Sequence, residues 1–213
     1  MLSIKNLTLQ YKNSNILDNI SHDYKTGTST AIIGNNGAGK TCLLQTVIGQ
    51  IKPTAWHIHN NIWSISYCPD NISWYKYLTP YEHAQSINKN SKTIAIWIER
   101  LQLQKYQNTA YHKLSKGNKQ KVNLLLSLLS KADMYIRDEP TQHLDPETRY
   151  IIHDIIYELK QQNKTIIYST HFLEDIWEHT DGCMIIEQWK IQTIYDLSQD
   201  MEHITKHFKP NKT

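Results

Sequence analysis

The sequence predicts an α/β protein whose core is a mostly parallel β-sheet. Two observations support this class. A short apolar segment at residues 29–33 leads into a cluster of glycines, and a helical apolar pattern follows the cluster. Further along, residues 134–186 alternate between strand-like apolar runs and helix-like segments. Such alternation is typical of parallel sheets, in which a helix connects each strand to the next.

The first third of the chain contains short strand patterns followed by one helix. Residues 2–32 carry brief apolar runs with a turn around residues 25–27, which predicts several strands. After the glycine cluster, apolar residues recur at helical spacing, and Gly49 and Pro53 mark the end of that helix. Its apolar face consists of Leu43, Leu44, Val47, Ile48 and Ile51.

The middle of the chain, residues 71–130, carries helical patterns and no convincing strand. Thr79 followed by Pro80 is typical of a helix start, because proline at the first helical position loses no hydrogen bond. Two apolar faces at helical spacing predict two further helices. They are formed by Ile94, Trp97, Ile98 and Leu101, and by Val122, Leu125, Leu126 and Leu129.

The last third returns to alternating elements. Strand patterns lie at 134–136, 165–168 and 183–186, with helices expected over about 146–162 and 172–179. The tail from residue 188 onward is short and polar. Because no repeat or linker divides the 213 residues, we expect one domain over 1–213.

Composition excludes several classes of protein. The formal net charge of +3 is too small to indicate a nucleic-acid surface, so no nucleic-acid partner is expected. The three cysteines, Cys42, Cys68 and Cys183, are far apart and odd in number, which argues against a disulfide framework and for a reducing compartment. No run of 18 apolar residues exists. We therefore expect a cytoplasmic protein that contacts a membrane only through a partner.

The glycine cluster matches a phosphate-binding loop. Residues 34–41 read Gly-Asn-Asn-Gly-Ala-Gly-Lys-Thr, which fits the pattern G-x-x-x-x-G-K-[ST] between a strand and a helix. The glycines let backbone N–H groups converge on a phosphate, Lys40 adds a mobile positive charge, and the Thr41 hydroxyl can bind Mg²⁺. The alternative is a glycine-rich turn before an ordinary helix, but a chance match to the full pattern is rare at this chain length.

Two adjacent carboxylates complement this loop. Asp138 and Glu139 follow the apolar run at 134–136 and precede Pro140. A carboxylate at the end of a strand can hold Mg²⁺, and the next one can lie beside an attacking water. Alone, such a pair is more often a solvated strand end. A phosphate loop earlier in the chain favours the functional interpretation.

In its motifs and their order, the chain resembles the nucleotide-binding domains of the ABC family over nearly its whole length. Residues 114–118, Leu-Ser-Lys-Gly-Asn, stand where that family has its Leu-Ser-Gly-Gly-Gln signature. Residues 142–145 resemble the D-loop, and residues 67–70 lie where the Q-loop belongs. Thr170-His171 closes a strand as the family's switch histidine does, and Tyr11 occupies the place of the aromatic residue that stacks on adenine.

The resemblance implies a P-loop NTPase fold of the ABC ATPase type, with an N-terminal antiparallel β part and a helical subdomain at about 71–130. It also implies an ATPase that uses ATP and Mg²⁺ and works as a homodimer with an integral membrane permease. Such a protein is peripheral on the cytoplasmic face of the cell (inner) membrane.

The resemblance further implies roles for single residues. Catalysis is expected of Glu139, His171 and Lys40. The expected metal ligands are Thr41, Asp138 and Asp70. The residues expected to bind ATP are Tyr11, Gly34, Asn35, Asn36, Gly37, Ala38, Gly39, Lys40, Thr41, Cys42 and Asp70, with Ser115 and Gly117 contributed by the second copy. Taken singly, Tyr11 is also explained as a strand-packing residue, and Ser115 with Gly117 as a helix cap and turn.

Six residues depart from the family pattern, and two of them, Trp56 and Trp189, fill positions where relatives usually carry a turn glycine. Lys116 and Asn118 replace a glycine and the glutamine of the signature, and Asp70 replaces the Q-loop glutamine. Arg137 is a charge inside a strand that should be buried, so we expect it to pair with a neighbouring carboxylate. These replacements weigh more against fast hydrolysis than against nucleotide binding.

The sequence supports more than one function within this family. The Ser-Lys-Gly signature variant favours an exporter, and the aromatic-rich segment at about 71–112 is expected to receive a coupling helix of the permease or to be ordinary subdomain core. The alternatives are the ATPase of a metal-ion or other importer, that of a haem exporter, and a slow-hydrolysing scaffold. A non-transport ABC ATPase of nucleic-acid work is disfavoured because no coiled-coil or Cys-rich insertion lies between Thr41 and Leu114.

Overall fold

The computed structural model describes residues 1–12, 14–60, 64–70, 72, 74–172, 175–176 and 180–197. Their strands form two sheets. A six-stranded sheet has the order β5-β6-β7-β3-β8-β9, and a three-stranded sheet has the order β2-β1-β4. The predicted α/β class with a mostly parallel core sheet is confirmed.

Five strands of the larger sheet run parallel and only β9 is antiparallel. The strands are β3 (Ser29–Ile33), β5 (Ile65–Cys68), β6 (Met134–Asp138), β7 (Thr165–Thr170), β8 (Gly182–Glu187) and β9 (Lys190–Asp196). All residues of β3, β6 and β7 are buried. Strands buried on both faces are expected of a parallel sheet that is covered on each side.

The two faces of this sheet pack against different layers. Helix α1 (Lys40–Val47) and the smaller sheet cover one face of the core sheet. They pack there against Ile32, Ile136 and Ile167 of the core strands. Helices α3 (Ser91–Arg100), α4 (Lys116–Leu129) and α5 (Pro146–Gln161) contribute to the cluster on the other face. Alternate residues of each core strand therefore belong to different hydrophobic clusters.

The smaller sheet is antiparallel, as the family resemblance implies. It consists of β1 (Leu2–Tyr11), β2 (Ser14–Tyr24) and β4 (Ala55–Asn60), with Leu2 opposite Tyr24 in one pair and opposite Asn60 in the other. Its buried residues, among them Leu7 and Leu17, belong to the same cluster as α1. This sheet therefore packs beside the phosphate loop.

The region 71–130 is helical in its described part, as predicted. Helix α2 (Pro80–Ile87) begins with a capping box, in which Thr79 and Glu82 each bond the other's backbone N–H. Helix α3 is capped by the side chain of Asn90. None of the helices in the described ranges is long and apolar enough to cross a bilayer.

The sequence did not predict three strands. β4 and β5 contain few consecutive apolar residues, and β9 lies in the tail described above as short and polar. The edge position of β9, paired only with β8, explains why its pattern is weak. The helix expected at 172–179 lies mostly outside the described residues.

Candidate nucleotide-binding site

The loop 34–39 joins β3 to α1 at the carboxyl end of the core sheet. Gly39 precedes the helix with φ 103°, and a Cβ at this position would lie 2.7 Å from the backbone oxygen of Ile16. Only glycine fits there, because the left-handed backbone and the close approach both exclude a side chain. The first turn of α1 thus begins at Lys40 directly beneath the loop.

Lys40 is almost completely buried at the centre of the site, with 6% of its surface exposed. Its ammonium donates to the backbone oxygens of Gly34 at 2.7 Å and Asn35 at 3.3 Å. It also forms an ion pair with Oε1 of Glu139 at 3.3 Å. A buried ammonium is stable only with such oxygen partners.

Asp138 ends β6 and faces the helix that follows the loop. Its Oδ2 accepts a hydrogen bond from the Thr41 hydroxyl at 2.7 Å, and its Oδ1 accepts one from Ser169 at 2.5 Å. The Ser169 hydroxyl in turn accepts the backbone N–H of Glu139 at 3.0 Å. Thr41 and Asp138, which are 97 positions apart in sequence, therefore lie in direct contact.

Glu139 and His171 lie side by side at the ends of β6 and β7. The Nδ1 of His171 lies 2.9 Å from Oε2 of Glu139 and donates to this carboxylate oxygen. Since Lys40 occupies the other carboxylate oxygen, Glu139 is fixed from two sides. Its backbone is left-handed, with φ 50°, an uncommon conformation for a residue with a side chain.

Of the remaining predicted residues, Asp70 and Cys42 lie close enough to Asp138 for its charge to affect them. Asp70 is partly buried, and its pKa is raised by burial and then by the charges of Asp138 and Glu139. Burial and the charge of Asp138 also raise the pKa of the Cys42 thiol on α1. Tyr11, at the end of β1, is 65% exposed, and the Lys12 ammonium lies 5.5 Å from the centre of its ring.

The signature-like segment forms the start of α4. The Ser115 side chain caps this helix by accepting the backbone N–H of Asn118 at 3.2 Å. A Cβ at Gly117 would lie 2.9 Å from the backbone oxygen of His143, so the D-loop-like segment approaches the helix closely. Lys116 also contacts His143, with 3.3 Å between Nζ and Nε2.

The expectation that Arg137 pairs with a carboxylate is wrong. Its side chain is buried, and within the described ranges neither Nη atom has a hydrogen-bond partner. The guanidinium instead lies against the Cys68 thiol and 5.6 Å from the centre of the Tyr135 ring. Its cross-strand neighbours are Cys68 and Tyr168, neither of which carries a carboxylate. Burial accordingly lowers the pKa of Arg137.

Sequence reasoning missed two buried residues of this centre, Ser169 and Asp175. Ser169 contacts both acidic residues, as described above, and Asp175 accepts hydrogen bonds from Thr141 and Thr170. A polar residue inside the apolar strand pattern at 165–170 was a signal for Ser169. Asp175 offered none, because its carboxylate reaches Thr141 across 34 positions of sequence.

A phosphate loop at the end of a parallel strand, with an acidic pair at the end of another strand of the same sheet, defines the class of phosphate-loop nucleotide-binding proteins. Comparisons narrow this class. The family model described as ABC transporter matches residues 17–142. The chain is 32% identical to the uncharacterized ABC transporter ATP-binding protein MJ1023 of Methanocaldococcus jannaschii, covering 95% of this chain and 81% of that protein.

Two further similarities agree with this result. The lantibiotic transport ATP-binding protein SrtF of Streptococcus pyogenes is 28% identical, with 96% of this chain and 95% of that protein covered. The dimeric structure of the ATP-binding cassette MJ0796 bound to ADP and Pi has the same fold, with a TM-score of 0.84 at 19% identity and coverage of 92% of this chain and 99% of that one. The chain belongs to the ABC transporter ATP-binding family and is an ATPase of that family.

Proposed function

We propose that this chain is the subunit whose ATP hydrolysis energises export by a separate membrane permease. The observation that carries the proposal is the arrangement of Lys40, Glu139 and His171 in one connected chain of contacts beside the Thr41–Asp138 pair. Hydrolysis of a phosphoanhydride needs charge stabilisation and a base for water in one place, and this arrangement supplies both.

Nucleotide binding falls to the loop and the residues that flank it. Backbone N–H groups of residues 34–39 and the first turn of α1 cradle the phosphates, and Lys40 exchanges its carbonyl partners for phosphate oxygens. Cys42 continues the same turn of α1. The exposed ring of Tyr11 is available to stack on adenine.

Thr41, Asp138 and Asp70 suit a bound Mg²⁺. A hydroxyl and two carboxylates are the oxygen ligands that this ion prefers. When bound, Mg²⁺ would supply positive charge to the phosphate oxygens. Burial, and then the negative charges of Asp138 and Glu139, raise the pKa of Asp70, which agrees with a position close to these two carboxylates.

Glu139 acts as the base that orients water and accepts its proton. Its Oε2 is already oriented by His171 and its Oε1 by Lys40. Once Lys40 turns to the nucleotide, Oε1 becomes available to the water. His171, which uses Nδ1 for Glu139, keeps Nε2 for the terminal phosphate.

The test is the variant Glu139→Gln, which keeps the shape of the side chain but cannot accept the proton. Its rate of phosphate release should fall by about 10²–10⁴-fold while equilibrium ATP binding is retained. Glu147→Gln, on the first turn of α5, is the matched control and should behave as the wild type. Undiminished phosphate release by Glu139→Gln would remove this role from Glu139, and a wild type without turnover would overturn the proposed function.

A second copy of the chain completes each site with its Ser115 and Gly117. The capped start of α4 is a helix N-terminus suited to a terminal phosphate. The dimer seen in the related cassette MJ0796 supports this assembly. With saturating ATP, Glu139→Gln should elute as a dimer in size-exclusion chromatography, and a monomer under these conditions would contradict the assembly.

The permease contacts the aromatic surface of the helical region. Tyr75 and Tyr77 are 75% and 82% exposed, and the Tyr77 ring contacts His112 with 5.5 Å between ring centres. A cavity of about 250 Å³ lies nearby between β5 and α4 and is lined in part by Trp74 and Ile87.

The charge of this region indicates the chemistry of the permease segment. Residues 71–130 contain nine Lys and Arg but only Glu82 and Glu99 as acidic residues. An acidic coupling helix is therefore the complementary partner. Capture of the permease from detergent extract should weaken as salt is raised and with Lys76→Glu, and capture indifferent to both would contradict the acidic partner.

The export direction has two supports. SrtF, which is similar over nearly the whole chain, is named a lantibiotic transport protein. The signature variant Ser115-Lys116-Gly117 is the second. ATP-dependent loss of cargo from cells that carry the permease would agree with export, whereas ATP-dependent accumulation would contradict it.

A further inference from the structure

We infer that Asp175 is a positioning residue for hydrolysis, which holds the segment after Glu139 and the segment before His171 at a fixed separation. The inference rests on the proposed function, because it gives Asp175 a role only through these two residues.

One carboxylate oxygen joins the two segments. The Oδ2 atom of Asp175 accepts the hydroxyl of Thr141 at 2.7 Å and the hydroxyl of Thr170 at 2.6 Å. All three residues are buried, with exposures of 1% for Asp175 and Thr141 and 0% for Thr170. Hydrogen bonds to a buried carboxylate are short and strong, so this bridge is rigid.

The bridged residues flank the reacting pair. Thr141 lies two residues after Glu139, and Thr170 lies one residue before His171. The ladder between β6 and β7 ends with Asp138 opposite Ser169. Beyond this point the backbone ladder no longer fixes the spacing of the strands, so side chains must do so.

Asp175 itself is held in place by three elements. Its backbone oxygen accepts the Tyr168 hydroxyl of β7 at 3.0 Å, and its backbone N–H donates to Phe172 at 3.3 Å. From α5, Arg149 approaches the second carboxylate oxygen, Oδ1, at 3.7 Å. If the segment after β6 moved relative to β7, the carboxylate would therefore lose a hydrogen bond to Thr141 or to Thr170.

The geometry gives Asp175 an indirect effect on catalysis. The contact of 2.9 Å between Glu139 and His171 depends on the separation of the two segments. If the bridge is lost, Glu139 can drift from the position of the water, and a displacement of about 1 Å can cost on the order of 10²-fold in rate. The loop at 34–41, which supplies most of the proposed contacts with ATP, belongs to neither segment.

The experiment compares hydrolysis and ATP binding of the purified full chain. Asp175→Asn, which keeps the shape but loses the charge, should lower kcat by about tenfold, and Asp175→Ala should lower it by about 10²-fold. For Asp175→Asn, KM and the equilibrium affinity for ATP should stay within about twofold, because the phosphate loop is intact. Asp133→Asn, a matched change of an exposed carboxylate that pairs with Lys164, should leave kcat unchanged.

Two further sets of variants keep the test decisive if Asp175→Ala does not fold. Thr141→Val and Thr170→Val each remove one hydroxyl and should lower kcat. Thr141→Ser and Thr170→Ser each keep the hydroxyl and should have a kcat close to that of the wild type. In the Glu139→Gln background, Asp175→Asn should have a smaller effect on the rate than in the wild type, because part of its effect acts through Glu139.

The outcomes separate the inference from the proposed function. A wild type without ATP turnover overturns both. Normal turnover of the wild type with an unchanged kcat in Asp175→Asn overturns the inference alone. A fall in ATP affinity that matches the fall in kcat also overturns it, because it indicates a merely structural role.

Discussion

Arg137 and Asp138 are adjacent, buried and charged, yet their surroundings differ completely. Both carboxylate oxygens of Asp138 accept hydroxyl hydrogen bonds, from Thr41 and from Ser169. The two Nη atoms of Arg137 have no hydrogen-bond partner among the described residues. The two positions are 4% and 2% exposed, so burial does not explain the difference.

The difference follows from the position of each residue along β6. Asp138 is the last residue of the strand, where the first turn of α1 brings the Thr41 hydroxyl and the end of β7 brings the Ser169 hydroxyl. Arg137 lies one residue earlier. Its neighbours there are Cys68 of β5, Tyr168 of β7 and the Tyr135 ring of its own strand. Successive residues of a strand also face opposite sides of the sheet, so Asp138 lies on the side of α1 and Arg137 on the side of Tyr135, where its cross-strand neighbours carry no carboxylate.

The largest effect that this comparison predicts is a loss of ATP hydrolysis when the charge of Asp138 is removed. Asp138→Asn keeps the shape of the side chain and an oxygen that can accept from Thr41. We expect the rate of Mg²⁺-dependent phosphate release to fall by about 10²–10³-fold, because the neutral amide would hold Mg²⁺ less tightly beside the phosphates. The free energy of unfolding, measured by urea titration, should change by less than about 2 kcal/mol. A rate close to that of the wild type would show that the satisfied charge serves stability alone.

Removing the charge of Arg137 should stabilise the protein. Arg137→Met replaces a buried guanidinium with an apolar chain of similar length, and we expect the free energy of unfolding to rise by about 1–4 kcal/mol. The control is Arg100→Met, which loses a partly exposed pair with Glu158 and should cost less than about 1 kcal/mol. Urea titrations at one pH measure both. A loss of stability in Arg137→Met would mean that Cys68 and Tyr135 compensate the buried charge.

The smallest effects sharpen the same comparison with neutral groups. The buried hydroxyl of Tyr24 has no partner within the described ranges, whereas that of Tyr168 bonds Thr180 and the backbone of Asp175. Tyr24→Phe should leave stability unchanged or raise it by up to about 1 kcal/mol. Tyr168→Phe should lower stability by about 1–2 kcal/mol, because it leaves partners unsatisfied. Equal unfolding midpoints for the two variants would contradict the comparison.

The sequence predicted those parts of the molecule that local patterns specify. The strand, loop and helix around residues 29–47 follow from apolar periodicity and glycine spacing, and the strands β6, β7 and β8 follow from continuous apolar runs. The predicted loop residue Thr41 and the predicted acidic residue Asp138 are brought into contact. This contact follows from topology, because parallel strands end at one edge of the sheet.

Features that depend on side chains from distant segments could not be predicted. The neutral surroundings of Arg137 are set by the register of β5 and β7 against β6, which one strand pattern does not contain. The bridge through Asp175 likewise depends on how segments near 141 and 170 approach each other. The edge strand β9 was missed because its pairing with β8, not its own composition, defines it.

The strand order places β7 between β6 and β3, although β7 is made after both. A ribosome that has released the chain only as far as α5 has supplied the phosphate loop and both acidic residues but not the strand that separates them. Ser169 and His171 are still missing at that stage, so Asp138 and Glu139 lack the neighbours that orient them. The proposed hydrolytic centre is therefore complete only after β7 has been synthesised and has entered the sheet between β6 and β3.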